Sequence, residues 1–334
     1  MFKVAIMGCG PGGAYLYRLL SLKRPDIQVD VFDIQNHRTA CRIKPCGWAV
    51  NYSPFAKLCR DVDIDPSQVI IGVYDSTLLN DKIKARADIA IINKPALLRR
   101  LMSGEPRTGG NLTTYDRIID ATGRREYLPS VDANRAVAYQ VRCKVNGIHR
   151  PTAWMFRDSV AWAFPLRKGE AHIGAASIIA ENAAKILSNI QTHLNIRRVI
   201  CSCSGSLACS GPLKPFTSAN VWGLGESIGL VDPFTGAGII QAMDSARLIY
   251  EHWDDSEGYE QSILDKYGYM GKAADVVEKI RVGQNLNLRD MRIVVKCIMR
   301  QTGVKLTLWN QIKMYIIRKQ EEYQGHYVGH EVKE

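Results

Sequence analysis

The sequence begins with FKVAIMGCGPGG at residues 2–13, an apolar segment followed at once by a glycine-rich turn. Residues 2–7 have the composition of a buried strand, and the apolar spacing from Ala14 to Leu22 predicts a helix after the glycines. A second strand is expected at residues 28–32, and Asp33 follows it directly. This order of strand, glycine turn, helix, strand and acid is typical of a nucleotide-binding βαβ unit.

The glycines of this turn have separate tasks in such a unit. Gly8 allows the tight turn, Gly10 lets the backbone approach a pyrophosphate, and Gly13 lets the helix pack closely on the strand. Asp33 lies 20 residues beyond Gly13, where a carboxylate can accept hydrogen bonds from an adenosine ribose. An acid at this position favours FAD or NAD over NADP, and the alternative is a glycine turn that binds nothing.

Composition limits the class of protein. The chain has 334 residues, 46% of them hydrophobic, which excludes a disordered chain, a fibre and a disulfide-stapled miniprotein. No apolar run is long enough to span a membrane, and no signal-peptide pattern precedes the first strand, so we expect a cytoplasmic protein whose nine cysteines are thiols. The net charge of +11 favours polyanions such as nucleotide phosphates or an acidic membrane surface. Nucleic acid is not expected as a partner, because no recognition module is present.

The pattern along the chain predicts an α/β protein. We expect a discontinuous Rossmann-like nucleotide-binding domain from residues 1–130 and 205–255. An antiparallel β-sheet domain for the substrate is predicted at residues 131–204, and a helical region at residues 256–334. Residues 35–81 are predicted to be irregular or to mix helix and turn, with a strand at residues 87–92.

A second glycine-rich stretch favours FAD over NAD. Residues 222–240 read WGLGESIGLVDPFTGAGII, a strand, an acidic turn, a proline-containing loop and a glycine-led helix. The turn can bring a carboxylate to a ribityl hydroxyl, and the loop can direct N–H groups at the electron-rich edge of a reduced flavin. A second phosphate site is the other use of a helix that starts this way.

This stretch resembles the G-D-A-A-G-x-x-x-P-x-x-G-x-G-I motif of flavoproteins similar to para-hydroxybenzoate hydroxylase. The whole chain is more similar to the geranylgeranyl reductase family, through the glycine turn with Asp33 and residues 44–47, 160–165 and 225–239. Glu226 stands where that family usually has Asp. The predicted FAD-binding residues are Gly8, Gly10, Gly12, Gly13, Ala14, Asp33, Lys44, Cys46, Gly47, Lys94, Ala121, Gly123, Glu226, Pro233, Gly236, Gly238 and Ile239.

The resemblance implies reduction of carbon–carbon double bonds in an isoprenoid lipid or lipid precursor, with NAD(P)H or a ferredoxin-type carrier as electron donor. Cys46 follows the cations Arg42 and Lys44, which favour a thiolate, and it is the candidate proton donor. Alternatively, Cys46 is a small buried apolar residue in a loop, without a role in the reaction. Trp162 and Phe164 share one face of a predicted strand and are candidates for an apolar substrate channel, or for ordinary sheet core.

Other residues have weaker signals. The spacing of Cys201, Cys203 and Cys209 favours core packing over a metal site, so no metal is expected. His172 has no partner visible in the sequence and is given no role. From Arg289 to Lys319 a basic amphipathic pattern could contact an anionic membrane or pack on the flavin domain. The alternative functions are an aromatic hydroxylase of the same fold and a non-catalytic, membrane-associated flavin-binding subunit.

Overall fold

A computed structural model of the chain describes residues 1–33, 46–307 and 310–311. Two β-sheets and eight α-helices make up this part, which confirms the predicted α/β class. The strands are β1 (Phe2–Met7), β2 (Ile27–Phe32), β3 (Ala49–Asn51), β4 (Ile70–Leu79), β5 (Ile83–Ile92), β6 (Arg117–Asp120), β7 (Arg135–Lys144), β8 (Thr152–Met155), β9 (Ser159–Pro165), β10 (Glu170–Ser177), β11 (Arg198–Ala208), β12 (Thr217–Ser218) and β13 (Val221–Gly223). The helices are α1 (Pro11–Lys23), α2 (Tyr52–Arg60), α3 (Lys94–Leu101), α4 (Ala180–His193), α5 (Ile239–Glu251), α6 (Ser256–Tyr267), α7 (Tyr269–Arg281) and α8 (Leu288–Thr302).

The smaller sheet contains the predicted βαβ unit. Its five strands run in the order β12-β13-β6-β1-β2, and β1 lies parallel to both β2 and β6. Val4, Ala5 and Ile6 in β1 are fully buried, because this strand is covered on both faces. The sheet is completed by β13, which comes from a much later part of the chain and pairs with β6.

The larger sheet contains eight strands in the order β11-β7-β10-β9-β8-β4-β5-β3. Most neighbouring strands are antiparallel, whereas β4 and β8 are parallel. The sheet is not confined to residues 131–204, because residues 49–92 contribute β3, β4 and β5 to it.

The prediction of helix and turn up to residue 81 is wrong at β4. Register shifts in its pairing with β5 occur between Ile70 and Gly72 and between Tyr74 and Ser76. Each irregularity breaks the two-residue alternation by which a half-buried strand is recognised in a sequence.

One helix covers one face of the larger sheet. Helix α4 packs Ile186, Leu187 and Ile190 against alanines of β9 and β10, among them Ala161 and Ala175, to form a second hydrophobic core. The opposite face of this sheet contacts Cys46 and Gly47 through Gln140 and Phe164.

The C-terminal region is helical from α6 to α8, as predicted, and residues 312–334 lie outside the described part. A reciprocal capping box between Asn287 and Asp290 starts α8. No helix among the described residues is both long and apolar enough to cross a bilayer. Seven of the cysteines described are free thiols, whereas Cys201 is disulfide-bonded, so the expectation of a thiol is wrong at this position.

Candidate functional site

The glycine turn folds as its sequence predicts. Gly8 has φ +115°, a conformation that side chains rarely adopt, and a Cβ there would collide with the Ala121 carbonyl oxygen. A Cβ on Gly13 would collide with the Gly8 carbonyl oxygen. Gly10 is different, because a Cβ there would meet nothing within 4 Å. The turn therefore packs tightly on the protein side and leaves open space above Gly10.

Two helix N-termini meet beside this turn. Helix α1 starts after Gly10 and helix α5 starts after Gly238, and neither has a side-chain cap. A Cβ on Gly12 would lie 2.9 Å from the carbonyl oxygen of Ala242, so the first turns of the two helices are in contact. The N–H groups of a first helical turn have no partner within the helix and attract anions.

The carboxylate of Asp33 lies close to the turn. Burial raises the pKa of the Cys9 thiol to about 12, and the charges of Asp33 and Glu105 add to this shift. The Asp33 N–H donates to the Arg107 carbonyl oxygen at 3.0 Å, which holds the end of β2 in place. The acid is thus beside the glycine turn, where ribose recognition requires it.

The residues after β6 provide a rigid wall. Buried Asp120 accepts hydrogen bonds from the N–H groups of Thr122 and Tyr127 and from the Ser227 hydroxyl at 2.9 Å. Gly123 has φ +70° and donates its N–H to the Ser227 hydroxyl at 3.0 Å. These bonds connect the predicted cofactor residues Ala121 and Gly123 to the second glycine-rich stretch.

Glu226 is held by the larger sheet. Its Oε1 accepts from the Ala208 N–H at 3.1 Å and lies 3.6 Å from an Arg135 guanidinium nitrogen. The carboxylate thus connects the start of the second glycine-rich stretch to β11 and β7. Its predicted contact with a ribityl hydroxyl stays a prediction.

Asp232 organises the loop that leads into α5, and the sequence analysis did not identify it. Its Oδ1 accepts from the Phe234 N–H at 3.1 Å and from the Thr235 N–H and hydroxyl at 2.8 Å. The side chain is fully buried, burial raises its pKa, and Oδ2 has no hydrogen-bond partner among the described residues. Asp232 thereby shapes the loop of Pro233 and Gly236, and through it the start of α5 at Gly238 and Ile239.

The loop of Cys46, Gly47 and Trp48 lies on the larger sheet. The Cys46 carbonyl oxygen accepts from Gln140 Nε2 at 3.2 Å, and Gln140 Oε1 accepts from the Trp162 indole N–H at 3.1 Å. A Cβ on Gly47 would lie 2.6 Å from the Phe164 ring. Trp162 and Phe164 share one face of β9, as predicted, with ring centroids 6.5 Å apart, and they hold this loop.

His172 lies under the same loop, although no motif in the sequence assigns it a role. It is 3% exposed, and its ring meets the Trp48 ring edge-to-face with centroids 4.4 Å apart. Burial lowers the pKa of His172 to about 4, and the charge of Arg142 adds a smaller effect in the same direction. A hydrogen bond to the Gly47 backbone acts in the opposite direction. Its Nδ1 has no partner among the described residues. Only the pairing of β10 with β9 and β7, which sequence does not specify, brings it here.

An apolar cavity lies between the larger sheet and the Asp232 loop. Pro233, Phe234 and Gly236 form one wall, and Val277 and Ile280 of α7 form another. Sheet residues that are small or apolar contribute to the rest of its lining, namely Ala136, Met155, Val160, Ala176 and Leu207, and polar groups come from Arg157, Asp158, Ser159 and Ser177. Val160 shares its face of β9 with Trp162, but neither Trp162 nor Phe164 lines this cavity.

Lys94 and Lys44 are the two predicted cofactor residues that remain. Lys94 is the first residue of α3, a helix that packs on α1. Lys44, like Arg42, lies outside the described residues. The effect of these cations on Cys46 therefore stays a prediction.

Several solved structures share this architecture. The chain is similar to a geranylgeranyl bacteriochlorophyll reductase-like protein from Thermoplasma acidophilum, with a TM-score of 0.64, 15% identity and coverage of 95% of this chain and 99% of that chain. It is also similar to PqsL from Pseudomonas aeruginosa, in complex with 2-aminobenzoylacetate, with a TM-score of 0.64, 14% identity and coverage of 84% and 96%. PqsL is described as a probable FAD-dependent monooxygenase, and this chain shares the fold of both proteins.

A halogenase shares the same fold. The tryptophan 6-halogenase SttH from Streptomyces toxytricini has a TM-score of 0.61 at 13% identity, over 88% of this chain and 82% of that chain. No protein-family model and no curated protein matches the sequence. Because one fold supports several reactions, the reaction has to be argued from the site itself.

Proposed function

We propose that the protein is an FAD-dependent oxidoreductase that reduces carbon–carbon double bonds of an isoprenoid lipid or lipid precursor. The observation that carries the FAD part is the contact between the uncapped starts of α1 and α5, beside the open space at Gly10. Two helix N-termini at one place provide for a pyrophosphate and for a second electron-rich group. A dinucleotide with one pyrophosphate and a flavin ring meets both requirements.

The residues fit FAD in a defined order. Asp33 would bind the adenosine ribose, and Gly10 with the first turn of α1, including Gly12, Gly13 and Ala14, would bind the pyrophosphate. Gly236, Gly238 and Ile239 would place the start of α5 against the flavin ring. The tight packing of Gly8 against Ala121 keeps the turn rigid while these groups bind.

The reductive chemistry would come from bound reduced flavin, which supplies a hydride to one carbon of a double bond. The chain itself has to exclude water, hold the substrate and provide a proton for the second carbon. Phe234, Val160 and Ile280 line the cavity with apolar groups, and its volume of about 50 Å³ would have to widen to take an isoprenoid unit. A carrier such as NAD(P)H or ferredoxin would restore the two electrons.

Cys46 is the proposed proton donor, acting through its Sγ. It is a free thiol, and its backbone is fixed by Gln140, which is itself fixed by Trp162. Trp162 and Phe164 support the loop of residues 46–48, and we propose that this loop borders the substrate. Their role in binding would then be indirect, since Val160 is the member of their face that lines the cavity.

The test is an anaerobic turnover experiment on the purified protein. After FAD content is determined, the flavin is reduced chemically and a geranylgeranyl lipid precursor is added. We expect flavin reoxidation together with a mass gain of two hydrogens for each bond reduced. Cys46→Ser should retain FAD and slow the reoxidation, whereas Cys59→Ser, a substitution in a buried thiol on α2, should leave its rate unchanged.

Two other results would contradict the proposal. Absence of bound flavin and of FAD uptake would remove its basis. A reduced flavin that ignores the alkene but reacts with oxygen in the presence of an aromatic substrate would indicate a hydroxylase of the same fold.

A further inference from the structure

The loop between α7 and α8 exposes two large apolar side chains. Val282 is 55% exposed and Leu288 is 73% exposed, and they lie at the two ends of this short connection. Single exposed apolar residues are common on protein surfaces, whereas these two belong to one short connection, and we call this pair the apolar tip. We call residues 282–288 the α7–α8 loop.

The surroundings of this loop are basic. Residues 278–300 contain six basic side chains and two acidic ones. Both acids are already paired, since Glu278 lies 2.6 Å from Arg281 and buried Asp290 lies 2.8 Å from Lys279. Arg289, Arg292 and Lys296 on α8 are exposed next to the apolar tip.

The same loop adjoins the apolar cavity. Arg157 lines the cavity and donates hydrogen bonds from its guanidinium group to the carbonyl oxygens of Gly283 and Gln284, at 3.0 and 3.1 Å. Val277 and Ile280, in the last turns of α7, form part of the cavity wall. The loop is therefore connected directly to the space assigned to the substrate.

We propose that the α7–α8 loop docks on an anionic lipid bilayer, with Val282 and Leu288 inserted among the acyl chains and the α8 cations at the headgroups. An apolar pair followed by exposed positive charge on α8 matches the interface of such a bilayer. A nucleic acid would also bind the cations, but its binding would not explain the exposure of Val282 and Leu288. That a lipid substrate reaches the cavity from this side rests on the proposed function, whereas the docking itself does not.

The test is cosedimentation of the full chain with vesicles of phosphatidylcholine alone and of phosphatidylcholine mixed with phosphatidylglycerol. We expect binding to the anionic vesicles, and weaker binding as salt is raised. Val282→Asp combined with Leu288→Asp should lower the affinity at least about ten-fold, because apolar burial in the bilayer is lost. Arg289→Glu combined with Arg292→Glu should lower it by roughly five-fold for each charge removed, or more.

Two control variants make the same kinds of substitution elsewhere on the surface. Val73 on β4 is 52% exposed, so Val73→Asp removes an equally exposed apolar residue outside the loop. Lys82→Glu with Lys84→Glu reverses two exposed charges in the β4–β5 hairpin. Both controls should bind anionic vesicles as the wild type does.

Three outcomes would overturn the docking proposal. The first is unchanged vesicle binding in the Val282 and Leu288 variant, and the second is equal binding to both kinds of vesicle. The third is a shift of that variant from dimer to monomer on a sizing column, because a second copy of the chain would then cover the tip. None of these readouts uses flavin or substrate, so failure of the proposed enzymatic function would be recognised separately, by FAD content and turnover.

Discussion

Gly12 of α1 lies so close to Ala242 of α5 that no side chain fits between them. A Cβ on Gly12 would stand 2.9 Å from the Ala242 carbonyl oxygen and 2.5 Å from Leu224 Cδ1. This contact sets the crossing of the two helices and brings their uncapped starts to one place.

Gly12→Ala should therefore destabilise the protein. The added methyl group meets backbone, which cannot move aside as the end of a flexible side chain can, so we expect the free energy of unfolding to fall by about 1–3 kcal/mol. Urea denaturation of the flavin-free protein measures this. A variant as stable as the wild type would mean that α1 and α5 do not cross as closely as described.

Gly10→Ala should weaken FAD binding without lowering the stability of the protein. Its Cβ meets no atom within 4 Å, so the unfolding free energy should be unchanged or slightly higher, because alanine restricts the unfolded chain. FAD affinity, measured by fluorescence titration, should fall about ten-fold or more, since the methyl group occupies the space for close approach to a pyrophosphate. Full FAD affinity in this variant would place the cofactor elsewhere.

Asp232 provides a test through pH. Since burial raises its pKa, the folded protein binds more protons than the unfolded chain, and stability falls as pH rises above the ordinary value of 3.8. Asp232→Asn keeps an Oδ1 acceptor without the titration. Its stability relative to the wild type should increase as pH rises above about 4 in urea denaturation.

Asp232→Ala is the companion variant. It removes the acceptor for the Phe234 and Thr235 N–H groups, so we expect a loss of about 2–4 kcal/mol in stability and weaker FAD binding. If Asp232→Asn and Asp232→Ala have the same stability, the Oδ1 acceptor does not order the loop that leads into α5.

His172 should make the protein acid-sensitive. Its pKa is lowered from 6.5 to about 4, so the unfolded chain binds the proton first and stability is lost as pH falls through this range. The loss is about 3 kcal/mol when the whole range is crossed. His172→Gln should lack it, whereas His149→Gln, at an exposed position, should retain it. Parallel pH profiles for all three proteins would contradict the buried, neutral state of His172.

Much of the cofactor half of the molecule could be predicted from the sequence because its signals are local. The apolar strand, the glycines and Asp33 lie within one βαβ unit, where spacing along the chain determines spacing in space. Gly8, Gly13 and Ala121 are all predicted cofactor residues, and the parallel pairing of β1 with β6 brings them together.

The substrate half could be predicted less well because its contacts are between distant segments. β4 was missed because bulges interrupt its alternation. His172 and Gln140 belong to strands whose register brings them under a loop about a hundred residues earlier, and neither side chain has a distinctive neighbour in the sequence. Asp232 was overlooked because full burial of a carboxyl group is a tertiary property.

The passage of the chain between the two sheets has a consequence for biosynthesis. The chain leaves the smaller sheet after β2, builds β3 to β5 of the larger sheet, returns for β6, and leaves again before β13. A ribosome must therefore translate beyond residue 251 before α5 can pack on α1 and the smaller sheet is complete. Neither sheet corresponds to an excisable fragment, and the nascent chain has to keep the apolar strands of both sheets from associating wrongly until the segment through residue 251 has been made.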